Sequence, residues 1–288
     1  MDFLKSSKRR SFISESIYIA LNVLFAVAIL VIVLVVESPL LAFALVLLGK
    51  WRVMAVRPRY WFVNLQANLV DIIVGLSIVV LLYAASGAVI MQAVLTLLYI
   101  GWLLFIKPRS KRMFIAIQAG TAVFLGVSAL MIESPDWIAS LVVVGMWLIG
   151  FSAARHVLSN YDEAHSSFYS FVWGFLFAEF GWLTYHWAFA YSLPGVGNIK
   201  LSQTALIALA LSFLVERFYS SYARHGSIQS ADVLLPSVLA VSIIVMLLFV
   251  LNTIGGTNSI IILPALVFIG VIDSLFVFVF NKVSNNAR

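Results

Sequence analysis

The sequence predicts an all-α, polytopic integral membrane protein of about ten transmembrane helices with parallel internal repeats, and three observations carry that reading. First, of 288 residues 63% are hydrophobic and only 10% charged, with a mean hydropathy of +1.07. An ordinary soluble domain carries about 25% charged residues, so the bilayer is the solvent that can accept this surface. Second, apolar runs of roughly 20 residues, the length that crosses the hydrocarbon core, recur along the whole chain. Third, the basic residues concentrate in alternate connections between those runs.

The runs fall at 14–36, 39–56, 62–85, 87–106, 113–132, 136–157, 167–191, 201–222, 230–252 and 259–281. The first follows Lys5, Lys8, Arg9 and Arg10 and stays apolar from Ile17 to Val36. That outlasts a signal-peptide core of roughly 7–15 residues and ends at no clear cleavage site, so it is read as an uncleaved span. Lys50 and Arg52 interrupt the second run. The others are helical by exclusion: each must satisfy its own backbone, and none alternates as a barrel strand does.

With the N-terminus in the cytoplasm, the inner connections hold Arg57, Arg59, Lys107, Arg109, Lys111, Arg112, Arg155, Arg224 and Lys282. The outer ones hold Lys200 beside Glu37, Glu133 and Asp136. This bias predicts a cell-membrane protein with both termini cytoplasmic. It also assigns the net charge of +6 to orientation and to anionic lipid at the cytoplasmic face, and argues against a nucleic-acid partner. No long loop provides a soluble domain.

Glu-Ser-Pro occurs twice, at 37–39 and 133–135, each time followed at the same distance by a Gly and a Trp (Gly49 and Trp51; Gly145 and Trp147). Ser suits a helix N-cap and Pro the first helical position, so both copies are expected to start a helix at the outer surface. Further identities at an offset of 96 include Ala26 with Ala122, Leu34 with Leu130 and Arg59 with Arg155. A weaker third echo joins "ALVLLG" (44–49), "SLVVVG" (140–145) and "ALVFIG" (265–270). An even number of spans separates the copies, which makes the repeats parallel, in a 4+4+2 plan: 1–112, 113–228 and a C-terminal pair at 229–288, within one membrane domain.

Charges inside spans need a reason, because each costs about 2.5–3.5 kcal/mol at mid-membrane. Asn64, Asn68 and Asp71 form a polar stripe that Gly75 continues. Asp71 and Asp273 both fall about 12–13 Å from the cytoplasmic boundary. Lys50 and Arg52 occupy the same layer and are the expected ion-pair partners. In the seventh span Glu179 is near the centre, and His186, seven residues on, shares its face. Asp71, Glu179 and Asp273 are therefore the candidate charge carriers, with Asn68 and His186 in support. The alternatives are packing pairs for Asp71 and Asp273, and an interfacial aromatic belt around His186.

No P-loop, H-E-x-x-H, G-x-S-x-G or D-D-x-x-D pattern is present, and there is no Cys. No catalytic set, metal site or cofactor is expected. His156, Asp162, Glu163 and His165 are metal-capable in type but lack ligand spacing, and read as a solvated loop. The expectation is a small permease or carrier without its own ATPase, proton coupling being one form, acting on a small molecule or ion. The alternatives are a non-catalytic scaffold or subunit bound to another membrane protein, and an intramembrane lipid-modifying enzyme using Glu179 and His186.

Overall fold

The computed structural model describes residues 2–36, 39–51, 55–161, 163–185, 190–192, 200–247 and 271. The helices are α1 (Asp2–Val36), α2 (Pro39–Leu48), α3 (Trp61–Ala84), α4 (Val89–Gly101), α5 (Arg112–Glu133), α6 (Ala139–Leu158), α7 (Ser166–Tyr185), α8 (Gln203–His225) and α9 (Ser230–Val245). A 3-10 turn, Pro58–Tyr60, leads into α3, and a π-helical turn, Trp102–Ile106, ends α4. Among the described residues six helical segments are long and apolar enough to cross a membrane: Ser14–Val36, Pro58–Ala84, Val89–Ile106, Arg112–Glu133, Ala139–Tyr161 and Gln203–His225. α7 has the length, but its Ser, Tyr, Trp and Glu residues make it less apolar than those six.

The core sits where α3 and α5 cross, at Val74, Ile78, Val79, Ala122, Val123 and Val127, and α1, α2, α4, α6 and α8 pack around them. α1 offers Ala26, Ile29 and Val33, a stripe at helical spacing, and turns Leu21, Leu24 and Val35 outward. Outward-facing leucines and valines recur on α2, α4 and α7, as lipid contact requires. α3 packs on α5 across the boundary between the first two expected repeats, so both share one core.

Small residues set the close approaches. A Cβ on Gly150 of α6 would lie 2.5 Å from Phe177 Cγ, and one on Gly181 of α7 would lie 2.6 Å from Met146 Cγ. Trp147 of α6 fills the space beside Gly174 and stacks on Phe151 with ring centroids 5.2 Å apart. Gly226 closes α8 with φ 68°, a left-handed cap that glycine adopts without strain.

Three expectations change. In the second predicted span, 39–56, the α-helix ends at Leu48, because Gly49 and Lys50 turn the chain: Lys50 N–H donates to Leu47 O rather than continuing the α-helical ladder, and 52–54 lie outside the described residues. The second Glu-Ser-Pro does not start a helix. α5 ends at Glu133, Ser134 is its C-cap, and α6 begins at Ala139 after a turn in which Trp137 N–H donates to Ser134 O. Pro39 does open α2, so the same tripeptide has different surroundings in its two copies, and Glu37 and Ser38 lie outside the described residues. Helix does not run to 191 either. Ala190–Ser192 pairs antiparallel with Lys200–Ser202, and Ser202 then caps α8 by accepting from Ala205 N–H. The sequence between the two strands carries Pro194, Gly195 and Gly197, residue types that disfavour helix. The tenth predicted span lies outside the described residues apart from residue 271.

The α6–α7 contact gives a test. Gly150→Ala should lower the apparent melting temperature of the detergent-solubilised chain, because the new methyl meets the Phe177 stem rather than a flexible tip. Gly101→Ala has open space around it and should change little. Overpacking of this kind costs about 1–3 kcal/mol. Equal melting of the two variants, followed by tryptophan fluorescence, would show that the helices are further apart than described.

Candidate functional site

Asp71 stands ten residues beyond the first residue of α3, inside a helix long and apolar enough to span a membrane, and two lysines meet it. Lys50 Nζ lies 2.7 Å and Lys107 Nζ 3.0 Å from the same carboxylate oxygen, Oδ2. All three side chains are partly buried, at 18%, 30% and 20% exposure for Lys50, Lys107 and Asp71.

Each lysine arrives at the end of a helix. α2 is about 15 Å long, half the hydrocarbon thickness, and Lys50 sits in the turn at its C-terminal end. α2 can lie that close to α3 because Gly75, one turn beyond Asp71, leaves room: a Cβ there would be 2.7 Å from Val46 Cγ1. Gly75 thus continues the polar stripe as the place where α2 touches α3. Lys107 follows the π-turn that ends α4. A lysine near a helix C-terminus meets the negative end of the helix dipole, which partly offsets gathering two cations around one carboxylate. Burial works against the charged form of Lys107, but Asp71 outweighs it and holds the ammonium above its ordinary pKa.

Pro108 explains the π-turn. It has no N–H to donate, and Lys107 N–H reaches back five residues to Trp102 O at 2.9 Å. Leu103 O accepts instead from Tyr18 Oη of α1, at 3.4 Å. Gln118 of α5 takes up the carbonyls beyond: its Nε2 donates to Ile106 O (2.8 Å), Arg109 O (3.0 Å) and Lys107 O (3.3 Å). Its Oε1 then accepts from His156 Nε2 of α6 at 2.7 Å, so His156 carries a proton on Nε2. One side chain ties the end of α4 to α5 and α6. Tyr99, buried on α4, and His156 both lie within electrostatic reach of Asp71.

Beyond the cluster, Tyr161 donates to Glu216 Oε1 at 3.2 Å, Tyr219 donates to Glu163 Oε2, and Arg112 lies over the Tyr161 ring at 4.8 Å. The Tyr219 hydrogen bond holds Glu163 below the usual carboxylate range. These contacts, with the Gln118 bonds, gather the ends of α4, α6 and α8 and the start of α5. Lys107, Arg109, Lys111, Arg112 and Arg155 are therefore at one end of the bundle. At the other, Tyr185 Oη of α7 donates to Trp137 O near Glu133 and Asp136.

The structure brings Asp71 and Lys50 together and adds Lys107, which the sequence reading had placed only in a basic connection. Asn68 Nδ2 donates to Asn64 O at 2.8 Å within α3. Glu179 does not join the cluster: it is exposed on α7 beside Phe175 and Trp182, with no hydrogen bond or ion pair among the described residues. Arg52, His186 and Asp273 lie outside the described residues. Gln118 and His156 were also missed as a pair. The available signal was a lone Gln two turns into an apolar span, facing an end where Pro108 leaves carbonyls free. Among the described residues no three His, Asp or Glu side chains converge as a metal site.

Gln118→Met keeps the length of the side chain and removes both bonds. Leaving Lys107 O, Arg109 O and His156 without this partner should lower stability by about 1–3 kcal/mol, and Gln118→Glu should not restore it, because a carboxylate cannot donate to the carbonyls. Thermal unfolding of the variants in one detergent is the check, and full stability of Gln118→Met would remove this network from the account.

Compared with family models, curated proteins and solved structures, the chain matches none.

Proposed function

We propose that the protein is a small permease or carrier of the cell membrane, without an ATPase of its own, that works by exposing the Asp71 cluster to the two sides in turn. The observation that carries this reading is the position of the cluster. α2 stops about half-way across a bilayer, and Lys50 at its end meets Asp71 of α3 and Lys107 after α4. Broken helices with ionisable residues at the break are how membrane carriers build a site at depth, since irregular backbone is tolerated there only beside protein or water. Protonation of Asp71 would release both lysines, which is a route to proton coupling. The reading keeps the parallel repeats, with the second expected crossing a broken helix rather than a full span. It places the basic end of the bundle, and both termini, in the cytoplasm against anionic lipid.

A second reading has its own support. Glu179 faces outward from α7 amid exposed Phe175, Leu176, Trp182 and Leu183. A carboxylate on a lipid-facing surface is stabilised by a partner helix, as in a scaffold or subunit of a larger membrane complex.

The absence of Cys permits a direct test. Single cysteines replace Asn68, Asp71, Glu179 and, as a lipid-facing control, Leu97. Each variant is then treated in vesicles with a membrane-impermeant thiol reagent from either side. The carrier reading predicts labelling at 68 and 71 and none at 97. Protection at 68 and 71, with co-purification of a partner that Glu179→Gln releases, would replace it by the scaffold reading.

A further inference from the structure

Two ammonium groups converge on one carboxylate oxygen at 2.7 and 3.0 Å, and among the described residues no second acid joins them. Each ammonium has three N–H donors, so the shared bond to Oδ2 leaves most of them without an acidic acceptor. Among the described residues the site therefore has two basic groups to one acid and surplus donors where three helices meet. A cation is disfavoured there by two like charges, and an uncharged solute does not replace an acid.

We infer that the solute handled at this site is a small oxyanion, a carboxylate or a phosphate group, bound between Lys50 and Lys107 in exchange with Asp71. This names the substrate class of the carrier reading and rests on it. Asp71 is the internal stand-in: its carboxylate occupies the lysines when the site is empty and yields one or both when the anion enters. Both lysines meet Asp71 through the one oxygen Oδ2, and an incoming oxyanion seated between them can give each ammonium a separate oxygen. The exchange has a directional consequence for variants. Removing the Asp71 charge removes the competitor and should strengthen anion binding, whereas removing a lysine should weaken it. A purely structural ion pair has no such opposition, since losing either partner then only destabilises.

The test uses the full chain in nanodiscs of neutral phosphatidylcholine, with sodium phosphate and sodium acetate as probes against sodium chloride at matched ionic strength. The readout is the apparent melting temperature as each probe is titrated. The expected result is a saturable rise with phosphate or acetate and none with chloride. Lys107→Gln should abolish it, and Asp71→Asn should move half-saturation to roughly tenfold lower concentration, a change of about 1.4 kcal/mol in binding. If Asp71→Asn does not fold, the Lys107→Gln arm decides alone. No saturable rise in the unaltered chain, or a rise that persists in Lys107→Gln, overturns the inference. A second arm adds anionic phosphatidylglycerol. If phosphate and acetate then lose their effect while the lipid alone raises the melting temperature, the oxyanion is a lipid headgroup and the solute assignment falls. Flux through proteoliposomes separates this inference from the reading beneath it. Anion binding without flux removes the carrier and leaves the site. Flux of a cation or neutral solute without anion binding leaves the carrier and removes this inference.

Discussion

The described core depends on one constraint: a carboxylate at Asp71 cannot stay charged inside a bilayer without cations beside it. The cost of isolating a buried charge is several kcal/mol, and the neighbouring elements supply the opposite charge. α2 stops short and turns at Gly49 so that Lys50 faces α3. Gly75 lets α2 come close enough for Lys50 to reach. α4 ends at Pro108, which delivers Lys107 from the other side. Each feature looks like a defect in a helix considered alone, and together they place three charges on one another.

The second layer of support is polar but uncharged. Gln118 donates to the carbonyls of Ile106, Lys107 and Arg109 around Pro108 and accepts a hydrogen bond from His156. A chain of this kind fixes the end of α4 against α5 and α6, and so fixes where Lys107 stands. Tyr18 does the same from α1. The cluster is therefore held by five helices besides α3, and a movement of any of them would alter the distances from the lysines to Asp71.

Much of this was legible in the sequence as a set of exceptions to the apolar pattern. Charges at depth are rare enough that Asp71 and Lys50 stood out, and their common depth followed from counting at 1.5 Å per residue. Lys107 did not stand out, because a lysine just past a span reads as interfacial; only tertiary packing turns its side chain inward. The early end of α2 was hidden by apolar residues on both sides of Gly49 and Lys50, where composition favours a span but the local turn wins. Ser134 was misread because a Ser-Pro pair signals a helix start in isolation, whereas here it caps the helix before it. Glu179 drew attention by its depth, and depth alone does not say which way a side chain points.

The most direct measurement is a double-mutant cycle on Asp71 with each lysine, using Asp71→Asn, Lys50→Met, Lys107→Met and the two double variants, scored by unfolding in a single detergent. The account predicts coupling of about 1 kcal/mol or more for both pairs, above the 0.2–1 kcal/mol usual for exposed ion pairs, so that each double variant is more stable than the sum of its singles implies. Additive losses at both pairs would mean that the lysines and Asp71 do not depend on one another, and would contradict the claim that this cluster organises the bundle.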